Sequence, residues 1–453
     1  MKKILIWLPV LLVVLTACPR SKKDTVTGPT LMEKIIDTSY QYSKEIYLWY
    51  GQLPTSVNVK DYDDPNALME YIRNYSFEPD FNRDVDRWSF AMKQSEWDDV
   101  SQGIAGDFGL GVFFMAANDL RVKSVEKLSP AGVAGIKRGW RITKINDHTS
   151  ITTSDADISY IVNAIFYSTS AKITFTKPDG SSQEYTVTAK TYQEQPVFLD
   201  TIYNEPAGKV GYMVYNSFLG DSAYSVDNFS RVFNKFATTG INELIVDLRY
   251  NSGGYVWIQQ LLGNYIVNSS GNGNISMIEQ FNALYSRQFN DTAYFSKKGS
   301  VNLNKVYFIV TAATASASEL LINALKPFMN VQLVGSKTEG KAVGFFPISV
   351  GEWYIFPVSF RTVNAQNIGN YFDGLSPVGN ALGVSDGLDK DWGDKQENML
   401  KVTLAAINNG GVFAYSPNNT TISRSVYFNN QNKKLKNPDK FSGAIETRRL
   451  TKK

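Results

Sequence analysis

Two side chains that together can hydrolyse an acyl bond follow two neighbouring predicted strands. Ser316 comes after an apolar run, Lys305–Thr311, and precedes a predicted helix, Glu319–Lys326. Lys341 stands in a glycine-containing loop after the next apolar run, Val331–Val334. Because adjacent parallel strands end at the same edge of a sheet, we expect these loops to meet. A serine at such a turn is a candidate nucleophile, and the N–H groups of the helix start beside it are candidate oxyanion donors.

Ser316 also has a simpler interpretation. With Glu319 it matches a capping box, and most capping boxes only start helices. A second motif favours chemistry, because the apolar run Asn242–Leu248 leads to Gly253 and Gly254. Glycines allow close backbone approach, and their N–H groups can face an anion.

The composition restricts the choice of base. The chain of 453 residues has one cysteine, Cys18, and one histidine, His148, which we expect to lie exposed in a loop of another module. A Cys/His zinc site is therefore excluded, and so is a histidine base next to Ser316. Lysine is the nitrogen base that remains for a serine nucleophile. The net charge of +3 argues against a nucleic-acid binder.

Three separate motifs resemble those of the C-terminal processing (tail-specific) serine peptidases. They are Asp247-Leu248-Arg249-x-Asn251-x-Gly253-Gly254, Thr314-Ala315-Ser316-Ala317-Ser318-Glu319 and Thr338-x-Gly340-Lys341. The resemblance covers roughly residues 100 to 410 and implies an α/β, α+β multidomain protein with a crotonase/ClpP-like protease domain. It implies these roles: Ser316, not Ser318, as nucleophile, Lys341 as base, and the N–H groups of Ala317 and of the Gly253/Gly254 turn as oxyanion donors. It implies no metal and no organic cofactor.

The lysine motif departs from the family pattern in two places. The family often has a glutamine four residues after the lysine, where this chain has Phe345, and a glycine where it has Ala342. Either another polar group such as Thr338 holds the amine, or the dyad is weaker than usual.

A peptide-binding module is expected over residues 101–192. Gly109-Leu110-Gly111-Val112, Ser129-Pro130-Ala131-Gly132-Val133 and the predicted helix Asp155–Phe166 resemble parts of a PDZ domain. Such a module binds a terminal carboxylate at a backbone turn and pairs a strand with the extended peptide. The candidate peptide-binding residues are Leu110, Gly111, Val112, Ile158 and Val162.

The N-terminus predicts export and lipid anchoring. Lys2 and Lys3 precede a short apolar run, Ile4–Leu15, and Leu15-Thr16-Ala17-Cys18 resembles a bacterial lipobox. A cleaved signal peptide with a chance cysteine, or an uncleaved anchor, is the alternative. Acylated Cys18 would anchor the protein in the bacterial cell envelope, at the periplasmic or the surface-exposed face of the outer membrane.

The expected domain order follows from these motifs. It is a signal peptide at 1–18, a tether at 19–29, an N-terminal helical region at 30–100, the PDZ-like module at 101–192, the protease domain at 193–410 and a basic tail at 411–453. Residues 433–453 contain eight Lys/Arg and two Asp/Glu, so we expect a solvated tail. Attraction of that tail to an anionic envelope surface is the second interpretation.

The sequence therefore predicts a membrane-anchored Ser–Lys endopeptidase that cuts exported proteins near their C-termini. Its expected partners are protein substrates bound by their chain ends and a membrane bound through Cys18, with no nucleic acid. Two other functions stay open. One is a non-catalytic lipoprotein that only binds peptide ends, and the other is an acyl-thioester enzyme on a crotonase-like fold.

Overall fold

The computed structural model describes residues 28–414, 432, 434–435, 441 and 443–447. The predicted signal peptide, the lipobox with Cys18 and most of the tether lie outside these residues. Within the described ranges, no helix is both long and apolar enough to cross a membrane. The architecture is a mixed α/β multidomain fold, as the sequence predicts.

Amphipathic helices alternate with short strands along most of the described chain. The α-helices are Leu31–Ile46, Pro65–Ile72, Gln94–Gln102, Pro130–Val133, Asp155–Val162, Ser222–Thr239, Val256–Ile266, Ser286–Phe289, Ala317–Leu325 and Asn398–Asn408. The first helix begins after Thr30, which forms a reciprocal capping box with Glu33.

A five-stranded sheet carries the catalytic motifs. In spatial order its strands are Val197–Glu205, Gly208–Tyr215, Glu243–Asp247, Lys305–Val310 and Asn330–Gly335. The first pair is antiparallel and the other pairs are parallel. The last three strands therefore end at one edge, where the glycine, serine and lysine motifs follow them. The sheet is buried on both faces, which explains the nearly continuous apolar runs in the sequence.

Smaller sheets complete the protease domain. One contains Asp291–Tyr294, Ile275–Phe281, Phe360–Val363 and Val343–Gly344, and another contains Ile348–Val350, Trp353–Phe356 and Phe90–Lys93. Within the Asn-, Ser- and Gly-rich stretch 268–300, Ile275–Phe281 is a strand whose Met277 and Phe281 side chains are buried. The polar residues around this strand conceal its alternating pattern in the sequence.

The N-terminal region shares the core of the protease domain. Its strand Phe90–Lys93 pairs with Trp353–Phe356, and its aromatic residues join the same apolar cluster as the serine helix, Ala317–Leu325. The predicted helices are present, but residues 83–93 also reach the catalytic edge. This region therefore builds part of the site.

Residues 110–188 form a second module with its own apolar core. Its five strands follow one another in the sheet and are Leu110–Ala116, Asp119–Val125, Arg141–Ile145, Ser170–Thr176 and Ser182–Thr188. The strand Leu110–Ala116, here called the groove strand, is at the edge. The helix Asp155–Val162 is called the groove helix. The elements have the predicted order.

His148 belongs to this module and is not the exposed loop residue that the sequence suggested. Its Nε2 lies 2.8 Å from Oδ1 of Asp157, and its ring stacks on Tyr160. His148 is thus held by two residues of the groove helix, a contact that its position after a turn in the sequence did not reveal.

A buried ion cluster joins the module to the main sheet. Arg249 contacts the carboxylates of Asp247, Asp386 and Glu397, and Arg138 of the module contacts Asp386 as well. Both guanidinium groups lie over the ring of Trp392. Because Arg249 precedes the glycine motif, this cluster fixes that loop against the module.

The prediction of a solvated tail is wrong for the parts that the structure describes. Leu435, Phe441, Ala444 and Ile445 are buried. The strand Gly443–Ile445, here called the tail strand, pairs in parallel with Gly253–Tyr255, here called the glycine strand. Apolar residues scattered among the lysines make these contacts. The number of charged residues in the tail could not reveal them, because the partners are distant in the sequence.

Candidate active site

Ser316 occupies a strained turn between a buried strand and the serine helix. Its φ is +56°, a conformation that costs a non-glycine residue about 1–3 kcal/mol. The turn is held because the Ser316 N–H donates to Oε2 of Glu319 at 2.8 Å and the Leu320 N–H donates to the Ser316 carbonyl. The side chain is only 1% exposed. This strained backbone conformation places the Ser316 hydroxyl at the N-terminal end of the serine helix.

The predicted oxyanion residues lie next to this turn. Gly253 and Gly254 have φ values of +110° and +139°. A Cβ at Gly253 would stand 3.2 Å from the Ala317 nitrogen, and one at Gly254 would stand 2.2 Å from the Phe218 backbone. Both positions therefore require glycine. The Gly253 N–H donates to Oδ1 of Asn251 at 3.0 Å, so in this conformation that N–H serves the turn.

Lys341 is buried among aromatic rings. It is 1% exposed, and its Nζ lies 4.3 Å from the ring centre of Phe345, 5.5 Å from Trp88 and 5.9 Å from Phe441. Burial lowers the pKa of its amine well below the usual value, although nearby Asp86 and Glu339 act in the opposite direction. A lysine in this state can supply a neutral amine near neutral pH.

Ser316 and Lys341 face the same small space. A cavity of about 10 Å³ is lined by both residues and by Leu320, Val343, Phe360, Thr362, Tyr371 and Ala444. The Ser316 hydroxyl donates to the Val343 carbonyl at 3.4 Å. The structure thus brings together the candidate nucleophile and the candidate base, which are 25 residues apart in the chain.

Glu319 joins the two catalytic loops, a role that its capping pattern did not reveal. Its carboxylate accepts hydrogen bonds from the N–H groups of Ser316, Gly340 and Lys341 and from the Thr338 hydroxyl. Burial raises its pKa to about 7, while these hydrogen bonds act in the opposite direction. Thr338, which the sequence offered as a partner for the lysine amine, donates to Glu319 instead.

Ser318 serves the scaffold. Its hydroxyl donates to the Asn251 carbonyl at 3.0 Å, and the Ala315 N–H donates to the same oxygen. The loop after Glu243–Asp247 is thereby tied to the serine loop. This position fits the sequence interpretation that Ser316, rather than Ser318, is the nucleophile.

Two residues of the N-terminal region were missed by sequence reasoning. Trp88 forms part of the wall around the Lys341 amine, and the Asp86 carboxylate is the charged group that most strongly opposes the lowering of the Lys341 pKa by burial. Asp86 also accepts hydrogen bonds from Tyr47 and Ser89. Only the density of aromatic residues in this region could have suggested its contact with the site.

The predicted peptide-binding residues divide between a cavity and a core. Leu110, Gly111 and Val112 line a cavity of about 410 Å³, and across it lie Ser252, Ala313, Ala315 and Glu339 of the protease domain. Ile158 and Val162 instead pack into the core of the module and do not line this cavity. The groove strand and the catalytic loops therefore face one another.

No group of three or more metal-ligating side chains occurs within the described ranges. The acidic residues closest to the site have other partners. Glu319 holds the two loops together, as described above, and Asp86 bonds backbone N–H groups as well as Tyr47 and Ser89.

The chain is similar in sequence to known serine peptidases. Residues 209–370 match the model of peptidase family S41. Proteins named "Probable CtpA-like serine protease" from Staphylococcus epidermidis and Staphylococcus aureus are 26% identical over 260 residues, or 57% of this chain. The match covers 50% and 49% of those proteins, so the chain spans about half the length of the curated relatives it matches.

A solved structure supports the fold. A Bacteroides fragilis protein, described as an S41 protease, superposes with a TM-score of 0.65 at 23% identity, covering 83% of this chain and 97% of that one. The predicted resemblance to the C-terminal processing serine peptidases and the predicted fold class are confirmed by these matches.

Proposed function

Because residues 209–370 match the model of peptidase family S41, we propose that this chain is a Ser–Lys endopeptidase. It cleaves exported proteins near their C-termini. The observation that carries the proposal is the buried Lys341, whose pKa is lowered by burial and which shares a cavity with Ser316. Such an amine is a competent base for a serine hydroxyl at neutral pH.

The reaction follows from the positions of these groups. Neutral Lys341 accepts the proton of the Ser316 hydroxyl while the Ser316 oxygen attacks the peptide carbonyl. The backbone N–H groups of Ala317 and Gly254 stabilise the oxyanion, while the Gly253 N–H stays bonded to Asn251. Lys341 then gives the proton to the leaving amine, and an acyl-Ser316 remains. Water, deprotonated by Lys341, hydrolyses this ester and restores the hydroxyl.

The groove strand selects the end of the chain. It is an edge strand, so it can pair with an extended peptide, and its first residues, Leu110 and Gly111, offer N–H groups to a terminal carboxylate. Because these residues and the catalytic loops line one cavity of about 410 Å³, a bound chain end lies close to the dyad.

This selection predicts a dependence on the terminal carboxylate. We expect a peptide with a free C-terminus to be cleaved with a kcat/KM about tenfold or more above that of the same peptide amidated at its end, because a charge-assisted contact is lost. The effect should lie mainly in KM. Equal kcat/KM values for the two peptides would contradict capture through the chain end.

A serine-directed fluorophosphonate separates the peptidase from a non-catalytic peptide binder. We expect labelling to map to Ser316 alone, with Ser316→Ala as the unlabelled control. A protein that binds C-terminal peptides but neither reacts nor cleaves would be the binder.

We also propose that Cys18 anchors the protein in the bacterial cell envelope through attached acyl chains. The support is its position directly after the apolar run and Leu15-Thr16-Ala17. Cys18→Ser is expected to abolish lipid modification, which mass measurement and membrane fractionation would detect. An unchanged mature mass and unchanged fractionation would show that Cys18 is not the anchor.

A further inference from the structure

The described parts of the C-terminal segment lie on the two surfaces that the proposed peptidase uses for substrates. Leu435 is 2% exposed and belongs to the apolar core of the second module, residues 110–188, which carries the groove strand. Ile445 is 1% exposed and belongs to the core cluster of the protease domain. A basic segment that the sequence assigns to solvent is therefore bound at two places.

The first contact is along the groove strand. The Phe114 N–H donates to Oδ1 of Asn432 at 2.7 Å, and Nδ2 of Asn432 donates to the Phe114 carbonyl at 3.1 Å. The Asn432 amide thus takes the place of a pairing strand at this edge. Lys434 contacts Asp155, the first residue of the groove helix, at 2.6 Å.

Leu435 lies at the cavity that the groove strand shares with the protease domain. It lines this 410 Å³ space together with Leu110, Gly111 and Val112. Asn432 and Leu435 therefore occupy the strand edge and the cavity where we propose that the end of a substrate chain binds.

The second contact is in the catalytic cleft, where the tail strand lies between two backbones. On one side it pairs with the glycine strand, and the Gly443 N–H donates to the Ser252 carbonyl at 3.1 Å. On the other side the Phe345 N–H donates to the Ala444 carbonyl at 3.0 Å, and the Glu446 N–H donates to the Phe345 carbonyl at 3.0 Å.

The tail strand passes the dyad itself. Ala444 lines the small cavity shared by Ser316 and Lys341. The Gly443 carbonyl oxygen lies 2.4 Å from the position of a Cβ at Gly253, which in turn is 3.2 Å from the Ala317 nitrogen. A peptide carbonyl of the chain's own tail is therefore placed beside the predicted oxyanion donors.

We propose that the described residues of this segment (432, 434–435, 441 and 443–447) act as an intramolecular pseudosubstrate that occupies both the edge of the groove strand and the cleft beside Ser316 and Lys341. A tethered ligand acts at an effective concentration of about millimolar, and an external peptide must displace it. This inference rests on the proposed function for its consequence, but the occupancy itself can be tested without cleavage.

The binding test uses the full-length chain with Ser316→Ala, so that nothing is cut. The probe is a fluorescein-labelled synthetic peptide with the sequence of residues 432–447, and its Kd is measured by anisotropy. Leu435→Glu places a charge in an apolar core and should release the tail from the groove. We expect the Kd to fall about tenfold or more, since the tethered competitor is lost.

A second variant addresses the cleft. A Cβ at Gly443 would stand 2.4 Å from the rings of Phe345 and Phe441, so Gly443→Val should expel the tail strand and also lower the probe's Kd. Val412→Ser, at an exposed position near the start of the tail, is the control and should leave the Kd unchanged. Equal Kd values in all four proteins would overturn the proposal.

The activity test uses the same substitutions with Ser316 intact. We expect Leu435→Glu and Gly443→Val to raise kcat/KM for an unstructured protein, mainly through a lower KM. Lower activity together with an unchanged probe Kd would overturn the proposal, because the tail would then be a structural part of the site. If no variant cleaves any substrate, the proposed peptidase function fails while the anisotropy result still decides whether the tail is a competing ligand.

Discussion

Lys341→Arg is expected to abolish cleavage of an unstructured protein at pH 7 while leaving the fold intact. The guanidinium keeps the positive charge but cannot lose its proton near neutral pH, so it cannot accept the Ser316 proton. The loss of general-base catalysis should lower kcat about 10²- to 10⁴-fold. Ser316→Ala should be at least as inactive, because the nucleophile itself is removed.

The controls lie on the same two loops. Ser318→Ala removes a hydroxyl that donates to the Asn251 carbonyl of the scaffold. This variant should retain most of the activity. Kinetics with a quenched fluorescent peptide and a thermal unfolding scan of each variant would compare them. Substantial cleavage by Lys341→Arg would rule out a lysine base, and loss of activity in Ser318→Ala alone would identify a different nucleophile.

Phe345→Asp should inactivate the enzyme at pH 7 through the pKa of Lys341. The Phe345 ring centre lies 4.3 Å from the amine, so an aspartate there would stabilise the ammonium form and raise that pKa. The base works when it is neutral, so the rate rises as pH increases through the lysine pKa. The substitution should move this rise to higher pH and lower kcat/KM at pH 7 about 10- to 1000-fold.

Phe345→Asn is the matched control, because it has the size of aspartate without the charge. Both variants lose the packing of Phe345 against Phe90, Phe356 and Phe441, so a difference between them reports the charge. Profiles of kcat/KM against pH for both proteins, with unfolding scans, are the measurement. Coincident profiles would show that Phe345 does not control the charge of the base.

Phe345→Gln asks what the family's usual residue does in this chain. The amide adds a polar group beside the amine and removes apolar surface, so the Lys341 pKa should rise less than with aspartate. Turnover should persist. The pH at which kcat/KM rises should lie between that of wild type and that of Phe345→Asp. That result would indicate that apolar burial by Phe345 and Trp88, rather than orientation by a glutamine, keeps this base neutral.

The sequence by itself determined the catalytic edge. The runs before Arg249, Thr311 and Ser336 are mostly apolar because the parallel strands are buried on both faces, and such runs are recognisable locally. Gly253 and Gly254 follow the first run because the positive φ values of their turn require glycine, whereas Ser316 adopts a positive φ at an energetic cost. The scarcity of histidine and cysteine then left lysine as the base.

Only the tertiary structure decided what surrounds that dyad. Trp88 comes from 253 residues before Lys341 and Phe441 from 100 residues after it, and no periodicity links such positions. Glu319 looks like a helix cap until the lysine loop is folded against its carboxylate. The tail looks solvated because charges dominate its composition, yet Leu435 and Ile445 are buried by distant partners. Local pattern records the period of an element, whereas burial of an isolated residue depends on contacts that form only when the whole chain is folded.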